Sequence, residues 1–132
     1  MPERLVVDAS AMVDLIVRSP LAPSVAKRLR GHELHAPAHF DAEVLSALGR
    51  LQRSGDMSAR QVSARLGRIA DAPIRRHHLA PLLVGAWKIH HNLRLVDALY
   101  VELTGKLDAI FVTTDAGLAA AAPAAHLVGT GD

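Results

Sequence analysis

Cysteine is absent from the 132-residue chain, and aromatic side chains make up only 3% of it. Without thiols there are neither disulfides nor thiolate metal ligands. The shortage of aromatics leaves Val, Leu, Ile and Ala to fill the interior, since half of all residues are hydrophobic. No apolar run approaches the roughly 20 residues of a membrane-spanning helix. The start, Met1-Pro2-Glu3-Arg4, leads straight into a strand and lacks a signal-peptide layout, so a cytoplasmic protein without a membrane is expected. Two catalytic signatures are also missing: a Gly-rich phosphate loop and a Gly-x-Ser-x-Gly nucleophile elbow. The length suits a single domain, residues 1–132, with a core of its own.

The formal net charge of +2 conceals a segregation. Residues 50–94 hold nine basic side chains against two acids, a local charge of +7. Residues 95–132 hold one base against five acids, and residues 1–49 are close to neutral. A basic middle beside acid-bearing ends suits a polyanion held by one region while the other holds a cation; solvated helix faces are the plainer explanation. Arg50, Arg53, Arg75 and Arg76 are the candidate phosphate contacts.

Hydrophobic periodicity predicts strands at 5–7, 33–36, 74–79, 109–113 and 126–128. Helices are expected over 9–17, from an N-cap at Ser24 to Arg30, over 39–53, after Ser58, over 82–91, from 96 to a stop at Gly105, and from Ala116. Strands alternating with helices predict an α/β fold, a mostly parallel sheet covered on both faces.

Against this frame four acids stand out: Asp8, Glu43, Asp97 and Asp115. Asp8 ends the run Leu5-Val6-Val7, and Asp115 follows Ile110 to Thr114. Glu43 and Asp97 open apolar helical patterns. Singly, each has a structural explanation as a helix cap or a first-turn acid. Together they occupy strand ends and helix starts, which meet in one crevice of an open α/β sheet. Carboxylates converging there repel unless a hard divalent cation lies among them. Asp41, two residues before Glu43, faces away from it on a helix and is expected to serve as a capping or dipole residue.

The segments Val6-Val7-Asp8-Ala9-Ser10-Ala11, Ala36-Pro37 leading to Glu43-Val44, Val96-Asp97-Ala98-Leu99-Tyr100, and Val112-Thr113-Thr114-Asp115 resemble, in order and spacing, a PIN domain. Within that group the chain is most similar to the VapC toxins of bacterial toxin–antitoxin pairs. The resemblance implies a three-layer α/β/α fold and an endoribonuclease dependent on Mg²⁺ or Mn²⁺. It also implies RNA as substrate, a cognate antitoxin and a homodimer. By position, Asp8 and Asp97 match the acids that hold metal most directly, Glu43 and Asp115 those that complete the site. Thr113 matches the supporting hydroxyl, and Ser10 is a further supporting candidate.

Two rival readings are a non-catalytic RNA-binding module and an aspartate-based phosphatase or receiver-like domain. The phosphatase pattern wants a second Asp where Ser10 stands; the receiver wants adjacent acids and a late lysine. The pairs His77-His78 and His90-His91 diverge on either a strand or a helix, so neither chelates zinc alone. Trp87 and Tyr100 are expected in the core or at an interface rather than as base-stacking platforms.

Overall fold

The computed structural model describes residues 1–131. Five strands, β1 (Arg4–Val7), β2 (Glu33–Pro37), β3 (Ile74–His77), β4 (Ile110–Thr113) and β5 (Ala125–Leu127), form one sheet in the order β3-β2-β1-β4-β5. Every pairing is parallel. Seven helices connect them: α1 (Ala9–Ile16), α2 (Ala22–Leu29), α3 (Phe40–Arg53), α4 (Ala59–Asp71), α5 (Leu83–Lys88), α6 (Leu95–Leu107) and α7 (Ala116–Ala121). From β1 the chain builds outward through β2 to β3, then returns to the other side of β1 for β4 and β5. Right-handed crossovers on the two sides of β1 place their helices on opposite faces of the sheet. The reversal between β1 and β4 opens the crevice beyond the carboxyl ends of those two strands.

The inner strands are continuous apolar runs because both faces are covered. Leu5, Val6, Val7, Phe111 and Val112 have no solvent exposure. Helix α6 is apolar nearly all round, burying Ala98, Leu99, Tyr100, Val101 and Leu103, since it packs across β1, β2 and β4. Such a helix is fixed in the core, and its first turn, carrying Asp97, is fixed with it.

Several boundaries differ from the sequence expectation. Helix α2 starts at Ala22, so Ser24 is not its cap; Pro23 stands in the first turn, where a missing N–H costs nothing. The segment 82–91 is no single helix. Ala80–Leu82 and His90–Asn92 are 3₁₀ turns, and Ile89 (φ −110°, ψ 9°) leaves the α region between α5 and the second turn. Helix α6 runs through Gly105 and stops at Asp108, which takes the left-handed conformation (φ 51°) usually left to glycine. Pro37 does not end β2 early: it stays in register with His77 of β3, and the next residue, Ala38, donates its N–H to the His77 carbonyl at 2.8 Å.

Candidate active site

Asp8, Glu43, Asp97 and Asp115 line one cleft of about 350 Å³. Ser10, Asp14, Arg50, Arg94 and Tyr100 share its wall. The convergence follows from the topology: Asp8 and Asp115 are the residues just after β1 and just before α7, while Glu43 and Asp97 lie in the first turns of α3 and α6.

Asp8 is the most enclosed of the four, 4% exposed. It caps α1 by accepting the Ala11 N–H on Oδ1 at 2.9 Å. The Ser10 hydroxyl lies 2.8 and 2.9 Å from its two oxygens, and Thr113 Oγ1 donates to Oδ2 at 2.6 Å. Burial nevertheless dominates and pushes the Asp8 carboxyl up to about 6; the bonds from Thr113, Ala11 and Ser10 oppose the rise, and the charge of Asp115 adds to it. Its ionised form is therefore short of positive charge. Asp115 caps α7 by accepting the Leu118 N–H at 3.0 Å, and its own N–H donates to Thr113 Oγ1 at 3.0 Å. The capping and functional readings of these two acids are compatible, because a cap occupies one carboxylate oxygen and leaves the other.

Glu43 accepts the Tyr100 phenol at 2.6 Å. Burial first, then this bond, drives the Tyr100 pKa upward, so the phenol remains a donor. The His39 ring packs against Tyr100 at a 56° tilt, with centroids 4.8 Å apart, and donates from Nε2 to the Val96 carbonyl at 2.8 Å. Asp97 meets Arg94 in a two-pronged pair, Nε to Oδ2 at 2.9 Å and Nη2 to Oδ1 at 3.2 Å. That bond, and behind it the charges of Glu43 and Asp115, holds the Arg94 guanidinium more firmly in its cationic form.

Each acid is thus turned towards a protein partner, and among the described residues no three acids or histidines already close on one point as a ligand set. The donor chemistry still suits a hard divalent cation: four carboxylates, no thiolate, and one carboxyl whose charge is undercompensated. Asp41 lies outside the cleft, as its position on α3 implied, and pairs with Arg76 at 3.0 Å.

Sequence reasoning missed Asp14, Arg94 and the role of Tyr100. Asp14 accepts the Thr114 hydroxyl at 2.7 Å and borders the cleft; its spacing of four from Ser10 on α1 was the available signal. Arg94 stands three residues before Asp97, the helical pairing distance. Arg76 is not available for phosphates, since it is spent on Asp41 and on the carbonyls of Ile69, Ala72 and Ile74. Trp87 is 62% exposed and stacks on His90, so it lies outside the core. His77 meets His35 of the neighbouring strand at 2.9 Å rather than joining His78.

A family model for the PIN domain matches residues 5–123. Ribonuclease VapC3 of Mycobacterium tuberculosis is 53% identical over 129 residues, covering 97% of this chain and 94% of that protein. Ribonuclease VapC12 of the same organism is 35% identical, over 87% of this chain and 89% of its own. Among solved structures, PAE2754 from Pyrobaculum aerophilum superposes with a TM-score of 0.71 at 22% identity, covering 96% of this chain and 84% of its own. The sarcin–ricin-loop-cleaving toxin VapC20 of M. tuberculosis superposes with a TM-score of 0.67 at 19% identity, covering 89% and 94%. With the family model spanning both strand-end acids and both helix-start acids, and relatives aligned almost end to end, this chain belongs to the PIN-domain family, among its VapC-type ribonucleases.

Proposed function

We propose that this chain is the toxin of a toxin–antitoxin pair, an endoribonuclease that hydrolyses RNA with Mg²⁺ or Mn²⁺. The observation that carries the reading is the convergence of Asp8, Glu43, Asp97 and Asp115 on one cleft, in a chain aligned nearly end to end with named ribonucleases. Asp8 and Asp97 would hold the cation, with Asp115 and Glu43 completing its surroundings. When bound, a divalent ion lowers the pKa of water and neutralises charge on the scissile phosphate.

The protein's own part is positioning. Glu43, oriented by the Tyr100 hydroxyl, or Asp115, oriented by its capping bond, accepts the proton of the attacking water. The water oxygen bonds to phosphorus as the ester P–O bond breaks, and the leaving ribose oxygen takes a proton from solvent. Thr113 and Ser10 keep both oxygens of Asp8 in register while that happens. Arg50 lines the cleft with its guanidinium exposed and takes a flanking phosphate.

The phosphatase reading loses its support at Ser10, whose hydroxyl is bonded to Asp8 where a second carboxylate is required. The decisive assay is cleavage of RNA with Mg²⁺ and with EDTA, on the wild type, Asp8→Asn and Asp97→Asn. Activity in EDTA, or surviving in both variants, overturns the metal-dependent reading.

The reading also includes two partners. A cognate antitoxin is expected to lay Arg or Lys across the acids, so the co-purified pair is silent; a fully active complex refutes this. A second copy is expected to cover the exposed Leu83, Val84 and Trp87 of α5 with Leu95 and Val96 of α6. Light scattering of Trp87→Asp checks this, and an unchanged mass for a dimeric wild type rejects that face.

A further inference from the structure

Among the described residues, the Arg94–Asp97 pair is unlike the other arginine ion pairs. Arg76 ties β3 to α3, 35 residues away in sequence, and collects three carbonyls besides. Arg28 on α2 bonds Glu3, 25 residues away, and the His126 ring, 98 residues away. Those arginines staple distant segments together. Arg94, the N-cap of α6, reaches only its third neighbour, whose N–H already bonds the Arg94 carbonyl at 3.0 Å, so the ion pair fastens no distant segment. Its side chain is 74% exposed, while Asp97 beneath it is 13% exposed. An ion pair this exposed contributes little to stability and exchanges readily.

Its position, however, is at the heart of the cleft. Arg94 covers one of the four acids and is drawn by Glu43 and Asp115 as well. A guanidinium carries five N–H donors, of which the pair uses Nε–H and one on Nη2. The remaining three are the geometry that binds phosphate oxygens. A divalent ion would compete with the guanidinium for the same Asp97 oxygens and offset the negative charge that draws Arg94 to them.

We propose that Arg94 has two alternative seats: on Asp97 when no divalent cation is bound, and on a phosphate of the RNA once the cation takes Asp97. Arg94 is then a substrate-positioning residue whose availability is set by occupancy of the site. Without a cation it neutralises Asp97, and its charge and its Nε edge are not offered to RNA. With a cation it is released beside the incoming polyanion. The proposal rests on the metal-dependent reading above, and part of its test runs without metal.

That part is a double-mutant cycle of RNA binding in EDTA, where nothing is cleaved. A short single-stranded oligoribonucleotide is titrated over a range of salt concentrations against the wild type, Arg94→Ala, Asp97→Asn and the double variant. Arg94→Ala is expected to change little in the wild-type background, because Arg94 is already occupied. In the Asp97→Asn background Arg94 is free, so its removal should cut the slope of log K against log salt by about 0.7. Arg94→Lys in that background should restore the slope, which a purely structural role does not predict. Equal effects of Arg94→Ala in both backgrounds overturn the proposal.

The second arm is calorimetric titration with Mn²⁺ alone. Removing the competing guanidinium should tighten Mn²⁺ binding by up to about fivefold, the range spanned by exposed ion pairs. Unchanged or weaker binding by Arg94→Ala, with the wild type binding normally, also overturns it. If the wild type binds no Mn²⁺ at all, the metal-dependent reading fails separately, and the EDTA cycle still decides where Arg94 sits.

Discussion

Thr113 Oγ1 donates to Asp8 Oδ2 at 2.6 Å and accepts the backbone N–H of Asp115 at 3.0 Å. One hydroxyl, with no solvent exposure, therefore binds together the carboxyl ends of β1 and β4, 105 residues apart in sequence. It orients the Asp8 carboxylate directly and anchors the backbone from which Asp115 projects. A hydroxyl is the smallest group that can both donate to a carboxylate and accept from an amide at one point.

Thr113→Val keeps the shape and removes both bonds. The Asp115 N–H and one Asp8 oxygen then lose a partner, with an expected cost of about 1–3 kcal/mol. The Asp8 carboxyl should rise further, since the Thr113 bond holds it down. Cleavage should fall along with stability, and Thr113→Ser should recover most of both. Urea unfolding and cleavage assays on the two variants test this; a Val variant as stable and active as wild type refutes it.

Tyr100→Phe removes the 2.6 Å donor to Glu43 while leaving the ring packed against His39 and Phe111. The fold should lose about 1 kcal/mol, the net value of a hydrogen bond. If Glu43 positions the water, kcat should drop about tenfold or more with KM nearly unchanged, because the lost orientation matters only in the transition state. A change confined to KM places Glu43 in substrate binding instead.

Asp8 and Asp115 were legible in the sequence because each follows a short apolar run, β1 or β4, and Glu43 and Asp97 because each opens an apolar helical pattern. Parallel topology then leaves little choice about where those ends meet. What was hidden is long-range pairing. Glu43 and Tyr100 are 57 residues apart, and nothing in either helical pattern announces that a core tyrosine will turn its hydroxyl to the cleft. Arg76 looked like one more cation in a basic stretch, yet a partly buried guanidinium finishing the end of α4 is a structural part. The break between α5 and its 3₁₀ turn was hidden because Leu82, Leu83, Ala86 and Ile89 keep helical spacing through it.

These assignments divide the basic residues by role. Arg76→Ala should destabilise the protein by about 2–4 kcal/mol, leaving Asp41 and three carbonyls without their cation, and should leave the salt dependence of RNA binding alone. Arg50→Ala should leave the melting temperature nearly unchanged and lower the slope of log K against log salt by about 0.7. Exposed Arg53 and Arg75 are to be sorted by the same two measurements. The reverse pattern, a flattened slope for Arg76 and a lower melting temperature for Arg50, refutes the division.

Asp8 makes the metal-free protein sensitive to pH in a defined direction. Its carboxyl titrates at about 6 in the fold against 3.8 for an unperturbed one, burial being the main cause. The native state thus binds this proton more tightly than the unfolded chain does. The stability that the proton contributes is fully present below about pH 4 and is lost as pH rises through about 6, for a total of about 3 kcal/mol. In EDTA the protein should therefore melt higher at pH 5 than at pH 7. Asp8→Asn should abolish most of that difference and be more stable than wild type at pH 7, although inactive. Asp97→Asn should give no such gain, because Arg94 already neutralises Asp97. Mg²⁺ at a hundred times its dissociation constant should add about 2.7 kcal/mol to the wild type at pH 7, and far less to either variant. Melts of the three proteins at both pH values, with EDTA and with Mg²⁺, supply the comparison. An Asp8→Asn protein that melts below wild type at pH 7 in EDTA, and keeps the wild-type pH profile, makes Asp8 a helix cap first and moves the unpaired charge elsewhere in the cleft.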